Sequence, residues 1–251
     1  MREILKQKTI LKHFKNNLFN IPYEDIVKIH KEVELITHCF SPIHNGKSKT
    51  NIINSIQKCL FRNNKFSNKY NYNLGKLVLS KMLSISGATC SFTTNGPISK
   101  IIKKFIKGNW SHVGNVYDIE NNKVLIAEAT AQGYIINKYT IHSLYSKFLK
   151  HHFAVGIPFE EIFDIEKNIK KYENKPYGFI NLLLIAIKLT FKKSFSGDGE
   201  KTLICSESSA KVLYDSSCKK INLAKEVNLD YDYITPYETY KTKYIDYISV
   251  K

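Results

Sequence analysis

Cysteine is scarce in this chain and odd in number: Cys39, Cys59, Cys90, Cys205 and Cys218 are the only five among 251 residues. None stands in a CxxC pair, which argues against a disulfide framework and against a cysteine-rich zinc site, and points to a reducing compartment with a free thiol. Long hydrophobic runs are missing as well. The longest, Phe179 to Ile187, contains Asn181 and stops at Lys188, too short to span a bilayer. The opening stretch MREILKQKTILKHFKNN is broken by charge every few residues, which is no signal-peptide pattern. Nucleotide and metal motifs are absent, so no cofactor and no metal are expected. HCFSPIH, from His38 to His44, holds three metal-capable side chains; without a second pair, chance explains it better. The chain reads as soluble, and as cytoplasmic or associated with a virus particle.

Acidic residues are also few, 22 against 38 Lys and Arg, for a formal net charge of +16. The imbalance is local: residues 1–108 hold 19 basic and 5 acidic side chains, residues 109–251 hold 19 and 17. A field of that sign suits an anionic partner, met through residues 1–108. A Lys- and Asn-rich compositional bias that keeps the chain soluble explains it equally well.

With 43% apolar and 12% aromatic residues the chain can bury a sizeable core. Two domains are expected: a basic, mostly helical extension over 1–85 and a catalytic-type domain over 86–251. Helices are read at ILKQKTILKHF and Tyr23 to Thr37, and Leu74 to Ile85 suits helix or strand. ATCSFTT ends at the turn Asn95-Gly96-Pro97. Ile98 to Lys107 then sets Ile101, Ile102, Phe105 and Ile106 against four lysines, an amphipathic helix closed by Gly108. Its basic face suits a membrane or phosphates, or simply water. Ser111–Ile119, Val124–Thr130, Tyr134–Tyr139 and Phe153–Ile157 alternate as strands of a small antiparallel sheet. Ile162–Tyr172 reads as a helix. In KPYGFINLLLIAIKL the helical run is apolar nearly all round and is expected to be the buried central helix. Ser194–Lys201 reads as a loop, Cys205–Tyr214 as a helix, and Tyr231–Tyr247 as a tyrosine-rich tail.

Three side chains carry chemistry. His112 lies on the first strand of the hairpin within Gly108 to Gly133, Glu128 on the second, and Cys205 where a loop turns into a helix. A cysteine at a helix N-terminus meets unpaired N–H groups and the positive end of the dipole, which favour thiolate. Histidine can take the thiol proton and return it to a leaving group, and a carboxylate can hold the imidazole in the useful tautomer. Each residue also has a plain structural role: small buried hydrophobe, core histidine, paired surface carboxylate. Register decides whether they meet. A two-residue turn at Asn121-Asn122 sets Glu128 opposite Asn115, on the wrong face for His112; a three-residue loop or a bulge corrects it.

GPISKIIKKFIKGNWSHVGNVY, VLIAEATAQGYII, KPYGFINLL, LICSESSAKVLY and ITPYETY, in that order, resemble the circularly permuted branch of the NlpC-type papain-like cysteine peptidase superfamily. In that branch the histidine and acidic strands precede the cysteine helix. The resemblance spans about residues 87–240. It implies an α+β fold with an antiparallel sheet against which the cysteine-bearing helix packs, and a thiol-dependent amidase or peptidase. Cys205 is then the nucleophile, His112 the base and Glu128 the orienting group. Tyr177 of PYG gains a substrate-binding or oxyanion role; a core tyrosine is the alternative. Gly87-Ala88 stands where such proteins carry Gly-Asp, and Asn115 fills a position normally apolar. The implied substrates are amides or esters, in peptidoglycan peptides or in lipid-linked acyl groups. Alternatives are a lipid-directed acyltransferase or thioesterase of the same fold, or a non-catalytic binding protein using its basic N-terminal region. Glu207, on another face of the cysteine helix, reads as structural.

Overall fold

The computed structural model describes residues 69–105, 109–121, 123–191 and 201–249. The helices expected before residue 38, the HCFSPIH segment and nearly all of the Ser194–Lys201 loop lie outside the described residues. The chain divides into two compact units, Met1–Leu74 and Gly75–Lys251, and the sheet belongs to the second.

α1 (Lys69–Leu83) leads into that unit and buries Val78, Leu79, Met82 and Leu83 at the spacing of one helical face. Leu74 to Ile85 is thus helix. β1 (Thr89–Phe92) is buried at all four positions, and α2 (Pro97–Phe105) starts with proline, whose missing N–H costs nothing in a first turn. A meander comes next: β2 (His112–Glu120), β3 (Lys123–Thr130) and β4 (Gly133–Thr140). Thr140 then caps α3 (Ile141–Leu149), its hydroxyl accepting from Ser143 N at 3.1 Å. β5 (Phe153–Pro158) returns alongside β1, and α4 (Ile165–Tyr172), α5 (Phe179–Phe191) and α6 (Cys205–Ser216) succeed it. α7 (Leu223–Val227), a 3₁₀ turn at Tyr231–Tyr233 and α8 (Pro236–Lys241) lead into β6 (Ile245–Ile248). The expected tail is therefore structured, and its end pairs with β5.

The six strands lie in the order β4-β3-β2-β1-β5-β6, with antiparallel pairing throughout. The fold is α+β. Val113, Ala127, Ala129 and Tyr134 of the sheet pack with Ile169 and Tyr172 of α4 and with Cys205 and Val212 of α6. Side chains of Val or Leu size each stabilise the fold by roughly 1.5–3 kcal/mol when buried, and α6 is buried along most of its length. The cysteine helix is the central one. α5, expected in that place, is not: Phe179, Ile180, Leu183 and Phe191 are about half to two-thirds exposed. Its composition is apolar all round, but only the side bearing Asn181 and Ile185 is covered.

Register along the β2–β3 hairpin is decided by one extra residue. Glu120 pairs with Lys123, Ile119 with Val124 and Asp118 with Leu125, as a two-residue connection requires. Beyond Tyr117 the pairing shifts, so that Val116 faces Ile126 and Asn115 faces Ala127. This bulge moves Glu128 from opposite Asn115 to opposite Gly114, and hence to the side of the sheet that carries His112. Gly114 is needed there: a Cβ on it would lie 2.7 Å from Ile126 Cγ2, 2.9 Å from Ala127 O and 3.1 Å from Glu128 Cβ.

Asn115, between Thr89 and Ala127, is fully buried, and neither polar atom of its amide has a hydrogen-bond partner. An unsatisfied buried polar group costs about 1–3 kcal/mol. Asn115→Leu, close in shape, is therefore expected to raise the unfolding free energy by about that amount. Chemical denaturation of the two proteins measures it; a destabilised leucine variant would show that the amide is satisfied.

Candidate active site

α6 starts at Cys205, after Ile204 in extended conformation (φ −98°, ψ 163°). Ser208 N is the first to bond back, to Ile204 O at 2.9 Å, so the N–H groups before it point out of the helix end. Glu207 fixes that end, accepting from Ile204 N at 3.4 Å while Lys211 Nζ pairs with its other oxygen at 2.7 Å. Asn181 of α5 donates to the same carboxylate at 3.5 Å. Burial pushes the Glu207 carboxyl up to about 7 against the pull of Lys211, with Asp232 adding to the rise. Glu207 thus ties α5 to the first turn of α6.

His112 is the first residue of β2, and its ring stands at the strand end where α6 begins. Nε2 is hydrogen-bonded to Glu128 Oε2, which leaves Nδ1 for the thiol of Cys205, to which the imidazole is also hydrogen-bonded. Glu128 is 2% exposed. Its second oxygen accepts from Asn137 Nδ2 at 2.7 Å and from Tyr139 Oη at 2.6 Å. The Phe92 ring lies against both His112 and Tyr139, with centroids 5.9 and 5.7 Å away.

Burial and pairing oppose each other at every ionisable group here. Burial drives the Cys205 thiol up, but the imidazolium of His112 and the N–H groups of Val113 and Ser206 outweigh it and bring it below its ordinary value. Burial likewise depresses His112, whereas the Cys205 thiolate and the Glu128 carboxylate raise it to about 10. Glu128 is lifted by burial and lowered further by His112, Tyr139 and Asn137, ending below the usual carboxylate range. The directions of these shifts all favour a thiolate–imidazolium pair beside an ionised carboxylate. Tyr139, pushed well up by burial and then by the charge on Glu128, stays a donor.

Cys205, 2% exposed, lines a small pocket of about 20 Å³ together with Ile102, Leu182, Ile185, Ile204, Ser206, Thr235 and Pro236. Tyr177 lines it too, packed edge-on against Phe179 at 4.8 Å between centroids. Burial, then the negative charge at Cys205, push its phenol upward, so the hydroxyl keeps its proton. All four residues singled out in the sequence therefore meet: Cys205, His112 and Glu128 as one hydrogen-bonded series, Tyr177 on the adjoining wall. Sequence reasoning misses Asn137 and Tyr139. Their signal is the period-two alternation of β4, which sets Asn137 opposite Ile126 and Tyr139 opposite Val124, on the Glu128 side. Among the described residues no cluster of three His, Cys, Asp or Glu can hold a metal ion, and no helix is long and apolar enough to cross a membrane.

No family model and no curated protein matches the sequence. Among solved structures the chain is similar to the metalloprotein yiiX of Escherichia coli O157:H7, described as DUF1105. The likeness covers 67% of this chain and 98% of that one, at 15% identity and a TM-score of 0.41, too slight to carry the fold or the site.

Iodoacetamide alkylation, mapped by mass spectrometry across pH, tests the ion pair. Cys205 is expected to react with an inflection below that of an ordinary thiol, because burial is outweighed by His112 and the N–H groups around the sulfur. In His112→Ala burial remains without its compensation, so the inflection moves above the ordinary thiol value and the neutral-pH rate falls at least about tenfold. Cys90, fully buried and pushed well up by burial and then by Glu128, serves as the unreactive reference. A wild-type profile that rises only in alkali would rule the pair out.

Proposed function

We propose that this chain is a thiol-dependent acyl hydrolase of the permuted NlpC-type papain-like kind. The observation that carries the reading is the series Cys205–His112–Glu128, its buried thiol at a helix N-terminus and on the wall of a small pocket. The chemistry follows from that arrangement. The Cys205 thiolate attacks an acyl carbonyl carbon, forming a C–S bond as the carbonyl π pair moves to oxygen. In this reading first-turn N–H groups of α6 stabilise that oxyanion, and Tyr177, which lines the same pocket, is the candidate to add a hydroxyl donor. Collapse expels the amine or alcohol, which takes the proton of the His112 imidazolium and leaves a thioester. Water, giving its proton to His112, attacks the thioester and releases the acid and the thiolate. Another nucleophile in place of water makes the same cycle an acyl transfer.

Of the two substrate classes implied by the family resemblance, the pocket favours the lipid-linked acyl group over the wall peptide. Six of the ten residues that line it are aliphatic or proline, with Tyr177, Cys205, Ser206 and Thr235 the others, which suits a hydrocarbon chain better than the charged and amide-rich groups of a peptide.

Long-chain acyl esters and wall-type peptides, incubated with the protein and followed by intact mass, test the reading. An acyl adduct at Cys205 that neutral hydroxylamine removes is expected with the long-chain ester. Cys205→Ala is expected to form no adduct and to lose about 10³-fold or more in turnover. Turnover that survives Cys205→Ala would end the proposal.

A further inference from the structure

The outer side of α5 has no role in the thiol chemistry, and it is unusual. Phe179 is 53% exposed, Ile180 64%, Leu183 60% and Phe191 68%. Apart from Phe179 these form a stripe at helical spacing, with Ile187 between Leu183 and Phe191. The reverse side of the same helix, through Leu182, Ile185 and Ala186, is a wall of the pocket that holds Cys205. α2 shares that pocket through Ile102, and Lys100 and Lys104 of α2 are exposed.

The charge carried by α2 and α5 themselves is of one sign. Residues 97–109 contain four lysines and residues 177–193 three, and neither stretch contains a single Asp or Glu. An exposed apolar stripe on a helix whose own charges are all cationic, next to a second lysine-bearing helix, is the pattern of a surface that settles into the boundary of an anionic bilayer. Nucleic acid would match the lysines but leave Phe179, Ile180, Leu183 and Phe191 in water. A protein partner with an apolar groove would match the stripe without calling for cations alone at its rim.

We infer that the outer face of α5, with the lysines of α2, docks this protein on the surface of an anionic lipid bilayer. The stripe enters the acyl boundary and the lysines remain at the headgroups. One helix then presents its outer side to the lipid and its inner side to the thiol pocket, so an acyl chain leaving the bilayer has a short apolar path to Cys205. The docking goes beyond the catalytic reading and does not need the thiol.

Co-sedimentation of the full chain with phosphatidylcholine vesicles, with and without phosphatidylserine, tests it. Wild type is expected to bind the phosphatidylserine vesicles at least about tenfold better, and less well as salt rises. Ile180→Glu with Leu183→Glu, both exposed positions, is expected to lose at least about tenfold in binding with circular dichroism and Tm unchanged. Lys100→Gln with Lys104→Gln, which removes one elementary charge at each position, is expected to cut the preference for phosphatidylserine by about 30-fold. Cys205→Ala is expected to bind as wild type, so a failed acyl chemistry leaves the docking result standing. Three outcomes would overturn the inference: no binding by wild type; full binding by the Ile180/Leu183 variant, which would place the lipid contact in the basic residues before α1; or a wild-type dimer in light scattering that the same variant splits, which would make a second copy the occupant.

Discussion

The hydrogen bond between His112 and Glu128 is the interaction on which the rest of the site rests, and it exists because β2 contains one residue more than its pairing with β3 can use. Without the bulge at Tyr117 the two-residue connection would keep strict alternation to the end of the hairpin, and Glu128 would face the helices behind the sheet. A buried, unpaired carboxylate there would be costly. With the bulge, Glu128 shares a side with His112, and Gly114 between them leaves room for the carboxylate to cross. One inserted residue converts a structural liability into a hydrogen-bond partner for His112.

The second dependence is electrostatic. Cys205, His112 and Glu128 are each driven toward neutrality by burial, and each is held charged by its neighbours in the series. Such mutual support is asymmetric: the set holds together, but removing one member strands its neighbours in a low-dielectric setting, typically at a cost of about 3–5 kcal/mol for a buried pair. This explains why so much of the surrounding structure serves to fix these side chains. Glu207 anchors the start of α6 from within the helix, Asn181 ties in α5, and Phe92 closes the aromatic side of the imidazole.

Much of this is legible in the sequence because the informative patterns are local. Alternation locates β2 to β5 within a residue or two, Gly and Pro mark the ends of α2, and the position of Cys205 after a loop marks the start of α6. The need for a bulge or an odd loop follows from counting residues between His112 and Glu128, although its place at Tyr117 does not, since a bulge has no side-chain signature here. Long-range facts are less accessible. β6 pairs with β5 across nearly ninety residues of chain, so Ile245–Ile248 reads as a tail. Composition points to the wrong centre: α5 is the more apolar helix, but α6, with four serines, is the buried one. Serine is small enough to let a helix lie close to a sheet. Three of the four hydroxyls are hydrogen-bonded, Ser206 to Ile234 O, Ser208 to Cys205 O and Ser216 to the Asn168 amide, which absorbs their polarity.

The carboxylate of Glu128 has a further consequence for what the position can be. One oxygen takes the imidazole Nε2–H, and the other takes two donors, from Asn137 and Tyr139. Every partner gives a proton and none accepts one. An amide in its place would have to turn its NH₂ either toward the imidazole N–H or toward the tyrosine hydroxyl, donor against donor. Glutamine, nearly identical in shape, is therefore a poor fit. With a carboxylate, Nε2 keeps its hydrogen in both charge states of the ring, which leaves Nδ1 as the nitrogen that gains or loses a proton. In the thiol chemistry proposed above, the outer ring of donors would thus work as a rectifier, fixing which side of the imidazole passes a proton.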